Sequence, residues 1–182
     1  MKLSLNIDES KYGVRVSSYV GFLLGVLGLF SWAVGQPLLI PSVGPSAFAL
    51  ATLPEEDINL PERVIAGQFI GAAVGLLAYF VIVGHSAPLS SVPPFSILGL
   101  RRVIAPFVAV IGTTVLMYAP NLEHPPAYAA TLIMAHGLLS SPAQIAGFAA
   151  AVVLLVAVHE IVGKRLDIWD LPYPREQLGR EE

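Results

Sequence analysis

The residues that could do chemistry in this chain are few and polar, set in an apolar background. They are His124, followed at once by Pro125 and Pro126; Ser42 and Ser46, with Gly44 between them; and Gln68, inside an apolar run. A histidine donates or accepts hydrogen bonds and titrates near neutrality. Serine hydroxyls do both, and a glutamine amide offers two donors and one acceptor oxygen. Such a set can hold a small polar solute. It includes no Lys or Arg, so an anion there would rely on hydrogen bonds, helix ends and a protonated His124. Glu123 beside His124, with His136 further on, raises a second chemistry, general acid and base work in a membrane enzyme. The sequence holds no HExxH pair, no P-loop and no carboxylate cluster, so neither a metal nor a cofactor site is expected. Cysteine is absent, which excludes disulfides and zinc–thiolate chemistry.

The background says where these residues must work. Of 182 residues 55% are hydrophobic and only 13% charged, against roughly 25% charged in a soluble domain. Mean hydropathy is +0.71. So few charges cannot cover a soluble surface of this size, which excludes a soluble enzyme or a nucleic-acid binder and leaves a polytopic membrane protein.

Four stretches approach the ~20 residues that cross hydrocarbon: Val16 to Val34, Val64 to Val83, Val103 to Ala119 and Ile145 to Val162. The first is a full span with no small-residue cleavage site behind it, so it reads as a span and not as a secretory signal. Residues 1–15 read as a cytoplasmic lead-in, 16–163 as the transmembrane domain, and 164–182 as a cytoplasmic tail with Trp169 and Tyr173 as headgroup anchors. With four crossings and both termini cytoplasmic, nine of the ten Lys and Arg residues lie on one side, Arg63 being the exception. That bias follows the positive-inside rule.

Two linkers are too apolar for solvated loops and too rich in proline for continuous helices. Residues 36–54 and 118–136 each pass from prolines to a short run of Ala, Leu and an aromatic, predicting half-helices over about 45–53 and 125–137. A gapless shift of 80 positions puts Pro45, Ala47 and Ala49 on Pro125, Ala127 and Ala129, and Ile65-Ala66-Gly67 on Ile145-Ala146-Gly147. The chain therefore reads as two repeats, about 16–84 and 96–163, each a span, a broken segment and a span. Paired broken segments are the best sequence pointer to a transporter's binding site. They can dip in from one side, giving parallel repeats, or cross completely, giving an inverted repeat. The second choice leaves eight basic residues inside and two outside, so charge counting slightly prefers the first, with both half-helices dipping from outside.

Each half-helix start would point free N–H groups and about half a positive charge at the site. Two such ends, with Ser42, Ser46 and His124, suit one monovalent anion, and His124 could carry a coupled proton. Ser42 and Ser46 read equally as simple helix caps. Gly44 reads as allowing close backbone approach, and Gln68 as either interhelical glue or cavity lining. Gly21 and Gly25 on span one, and Gly67, Gly71 and Gly75 on span two, have the spacing of close helix packing, within the chain or in a homo-oligomer. Among the other candidates, His85 falls in a cytoplasmic loop, His159 lies near the end of span four, and Glu160 is placed to pair with Lys164.

The His124-Pro125-Pro126 tripeptide, with Gly44-Pro45-Ser46-Ala47 and the stretch Leu60-Pro61-Glu62-Arg63-Val64-Ile65-Ala66-Gly67-Gln68, resembles the HPP family of integral membrane proteins over roughly residues 15–163. Gln68 stands where a His is common in that family, and Tyr128 and Ala129 where a small Gly-Ala pair often follows the prolines. The resemblance implies a membrane transporter, and members in chloroplasts and cyanobacteria are associated with nitrite. The expectation is thus an all-α polytopic protein of a bacterial or cyanobacterial inner membrane, with four transmembrane helices and two half-helices in two repeats. Its substrate-binding residues would be Ser42, Gly44, Ser46, Gln68, His124, Pro125 and Pro126, and its partners a small inorganic anion, a proton and the lipid bilayer. The competing expectations are the membrane enzyme and a non-transporting scaffold subunit.

Overall fold

A computed structural model describes residues 7–36, 41–52, 57–84 and 91–163. Five expectations lie outside these residues: the first part of the lead-in, His85, Lys164 as partner of Glu160, and the anchors Trp169 and Tyr173. The described chain is helical throughout. Its elements are α1 (Ile7–Val34), α2 (Val43–Thr52), a 3-10 turn (Asp57–Asn59), α3 (Pro61–Ala78, continued by a π-helical turn at Tyr79–Val83), α4 (Ile97–Tyr118), α5 (Ala127–Ala135) and α6 (Pro142–Val162). Four helices, Lys11–Val34, Pro61–Val83, Ile97–Tyr118 and Pro142–Val162, are long and apolar enough to cross a membrane. The two others, of 10 and 9 residues, reach only about 15 Å at 1.5 Å per residue. The expected four spans and two half-helices are therefore present. Large apolar side chains such as Trp32, Leu29, Val103 and Phe107 point outward, as an integral multi-pass membrane protein requires.

Local chemistry explains the ends. Ser96 caps α4 by accepting from Gly99 N at 3.1 Å, and Ser141 with Gln144 forms a reciprocal capping box at α6. Pro61 and Pro142 sit in the first turns of α3 and α6, where a missing N–H costs nothing. Gly137, at φ 73°, ends α5. Helix α1 begins at Ile7, well before Val16.

Contacts along α3 give the direction of both half-helices. Asn59 Nδ2, just before α3, donates to Ala49 O at 3.0 Å. Gln68 Nε2, further along, reaches back to Ser46 Oγ at 2.8 Å and Ser42 O at 3.4 Å. Helix α2 thus runs antiparallel to α3. The same helix meets α5 in the opposite sense. Gly67 lies against His124 and Ala127, Gly71 against Ala127 and Thr131, and Gly75 against Thr131, Met134 and Ala135. Helix α5 thus runs parallel to α3, and the half-helices oppose each other, start to start. Repeats joined by a simple parallel relation would carry their half-helices in the same direction. The same-side dip that charge counting slightly prefers does not fit this, and the inverted arrangement does. Two arginines at one helix start weigh little against helix packing along a whole face.

The α3 glycines also settle which contact their stripe serves. A Cβ on Gly71 would stand 2.6 Å from Ala127 O, and one on Gly75 would overlap Thr131 O. The stripe is the seat of α5. Gly21 and Gly25 of α1 have no described atom within 4 Å of such a Cβ.

Two outcomes follow. Gly75→Val should lower the melting temperature of the purified protein, since overpacking costs about 1–3 kcal/mol, while Gly21→Val should leave it nearly unchanged. Cysteines placed singly at Asp57 and Ser91, in a chain with no native cysteine, should label from opposite faces of the membrane, with position 57 on the side of the N-terminus. Position 91 sharing the N-terminal side would instead indicate parallel repeats.

Candidate functional site

The start of α2 supplies the serines. Ser42 precedes the helix and Ser46 lies in its first turn, so a four-residue spacing brings Ser46 Oγ to within 3.3 Å of Ser42 O. Both side chains are buried. Gly44 is half-buried, with no described atom within 4 Å of a would-be Cβ.

Helix α3 supplies Gln68, and Gly67 makes room beside it. A Cβ on Gly67 would stand 2.8 Å from His124 Cβ, so this glycine sets how closely the turn before α5 can approach. That turn reverses the chain at Asn121, in the left-handed region at φ 57°, which Asn tolerates better than most residues. His124 then enters fully buried, and its Nε2 lies 3.0 Å from Ser46 Oγ.

Pro125 and Pro126 build the start of α5 and change what it can offer. Neither has an N–H. The next three amides, of Ala127, Tyr128 and Ala129, already donate to the carbonyls of His124, Pro125 and Pro126 at 2.9, 3.2 and 3.2 Å. The expectation of free N–H donors at this end is not met, because the tight first turn uses them internally. What remains there is the helix dipole. Pro125 itself is exposed. At α2 only Pro45 lacks an amide hydrogen, and Val43 and Gly44 carry the first N–H groups.

Ser46 is the hub of the site. Its hydroxyl has one hydrogen and three neighbours. Gln68 Nε2 donates to it. The hydrogen then goes either to His124 Nε2, as a neutral Nδ1–H imidazole requires, or to Ser42 O, leaving His124 Nε2–H to donate to Ser46. One rotation of a hydroxyl thus follows the tautomer or charge of His124. Ser42 O also fixes the Gln68 amide, since turning it over would set oxygen against oxygen. Two buried atoms of this group, Ser42 Oγ and Gln68 Oε1, have no hydrogen-bond partner in the protein. The large majority of buried side-chain polar atoms in proteins have a partner, so both invite an occupant.

Of the expected residues, Ser42, Ser46, Gln68 and His124 come together. Gly44, Pro125 and Pro126 shape the two helix starts. Half-buried Glu123 adjoins His124 in the chain, but His136 caps the far end of α5, beyond a helix of nine residues, or about 14 Å. The acid–base group of the enzyme reading is not assembled.

The sequence reading missed a hydroxyl seam beside α5. Thr113 and Thr131 are bonded at 3.0 Å, and Thr114 and Tyr128 at 2.9 Å. Two adjacent threonines inside an apolar span were the available signal. It also missed the partner of His159, which is Tyr19, at 2.9 Å between α1 and α6.

A family model described as HPP, transmembrane region, matches residues 9–164. No curated protein and no solved structure matches the chain.

Ser46→Ala should destabilise the fold by about 1–3 kcal/mol, the cost of stranding buried polar partners, read as a lower melting temperature. Ser18→Ala, which removes only an exposed bond to Val14 O, should change it by less than about 0.5 kcal/mol.

Proposed function

This chain belongs to the HPP transmembrane family, and we propose that it carries a small inorganic anion, nitrite in the first instance, across the membrane at the junction of α2 and α5. One observation carries the reading: two opposed half-helix starts meet at four buried polar side chains, two of which have an unpartnered atom. Broken helices paired across inverted repeats are the usual frame of a transporter's binding site. Each helix start contributes about half a positive charge. The hydroxyls of Ser42 and Ser46 and the ring of His124 supply hydrogen bonds. Among the described residues no Lys or Arg joins them, so the anion is held loosely enough to leave, as conduction needs. The sequence has no P-loop, which fits a passive or secondary carrier. The basic residues favour cytoplasmic termini; the membrane in this reading is a bacterial inner membrane.

Purified protein in liposomes should take up nitrite faster than protein-free liposomes. His124→Ala should reduce that protein-dependent rate by roughly two- to tenfold, the loss of a hydrogen bond worth about 0.5–1.5 kcal/mol. Uptake equal to the protein-free rate would contradict the proposal.

A further inference from the structure

Gln68 gives the site a hydrogen-bonding sense that a bare anion does not match. Its Nε2 is committed to Ser42 O and Ser46 Oγ. The amide is held in that orientation by the Ser42 carbonyl, and Oε1 is left as a buried acceptor without a protein partner. Ser42 Oγ, equally buried and unpartnered, can donate. The unfilled positions are therefore one acceptor and one hydroxyl able to donate. Chloride or nitrate has only acceptors to offer. It would satisfy Ser42 and leave Gln68 Oε1 facing negative charge. A small oxyacid in its protonated form satisfies both, with its O–H directed at Gln68 Oε1 and a second oxygen accepting from Ser42 Oγ. Charge points the same way. The four side chains include no fixed cation, and an anion paired with its own proton adds no net charge.

We propose that the site takes an oxyanion together with a proton borne by the ligand, and that Gln68 selects such a ligand over proton-free anions. This deepens the transport reading and rests on it. Among the described residues, the titratable or charged groups nearest the site along its elements are His124 and Glu123 in the turn before α5, Tyr128 in α5, bonded to Thr114, and Glu62 and Arg63 earlier on α3. Arg63 is held by Asp57 at 3.7 Å, and α2 contributes none. The proton is supplied by solution on the entering side and released with the anion.

The test compares nitrite with nitrate, similar planar oxyanions of which only nitrite is the base of a weak acid. Binding is measured calorimetrically on the full chain in detergent, in two buffers of different ionisation heat, which counts protons taken up. The wild type should take up one proton per nitrite bound, and nitrate should bind about tenfold more weakly or worse, which is about 1.4 kcal/mol. Gln68→Leu should remove that preference. His124→Gln should keep proton uptake, because the ligand carries the proton. Equal binding of both anions without proton uptake would overturn this inference and leave an anion site standing, with water on Gln68. Proton uptake lost in His124→Gln would overturn it in favour of the histidine as carrier. Failure of both anions to bind would remove the transport reading and this inference together.

Discussion

A helix face without side chains is the constraint on which the rest of this protein depends. Along α3, Gly71 and Gly75 let the backbone of α5 come so close that a Cβ would strike it, and Gly67 does the same for His124 in the turn before it. A half-helix of nine residues cannot hold itself in place by its own hydrogen bonds. In lipid no hydrophobic drive presses it home either, because acyl chains are as apolar as its side chains. Close contact over the glycines, reinforced by the hydroxyl pairs to α4, does that work. It also delivers His124 to Ser46, since the first glycine of the stripe faces His124 itself.

The opposed half-helices then concentrate polarity at one depth. Elsewhere the described spans offer lipid an apolar surface. At the junction, serine, glutamine and histidine make one connected set, with Ser46 passing hydrogen bonds among the other three. Buried polar networks are costly when partly satisfied. This one keeps two unpaired atoms, which is the kind of local inconsistency that marks a place of function. The tight proline turn sharpens the picture. By using its own amides, α5 brings a dipole without donors. In the proposed reading, recognition therefore falls to the serines of α2 and the Gln68 amide more than to the helix ends.

Much of this was legible in the sequence, for definable reasons. Four spans follow from hydropathy because lipid allows little else. The half-helices follow from proline placement, and the repeat from the match of Pro45 with Pro125. Ser42, Ser46, Gln68 and His124 were recognisable because polar residues are scarce here and so stand out. What was not legible needed the third dimension. Charge counting slightly preferred half-helices dipping from the same side, since Arg101 and Arg102 weigh on the sum without reporting how α2 and α5 pack. The internal bonding of the α5 first turn depends on backbone geometry that Pro125-Pro126 alone does not specify. The bond between Tyr19 and His159 joins positions 140 residues apart, and nothing local in either helix announces the other.

The central claim is that a small anion binds where the two half-helices meet. The most direct measurement is the ¹⁵N chemical shift of the His124 ring during titration with nitrite, in labelled protein with the resonance assigned by His124→Gln. A saturable shift of the Nε2 signal is expected, because a ligand at Ser42 and Gln68 redirects the Ser46 hydroxyl. A protein that transports nitrite while the His124 resonance stays unmoved through saturation would contradict it.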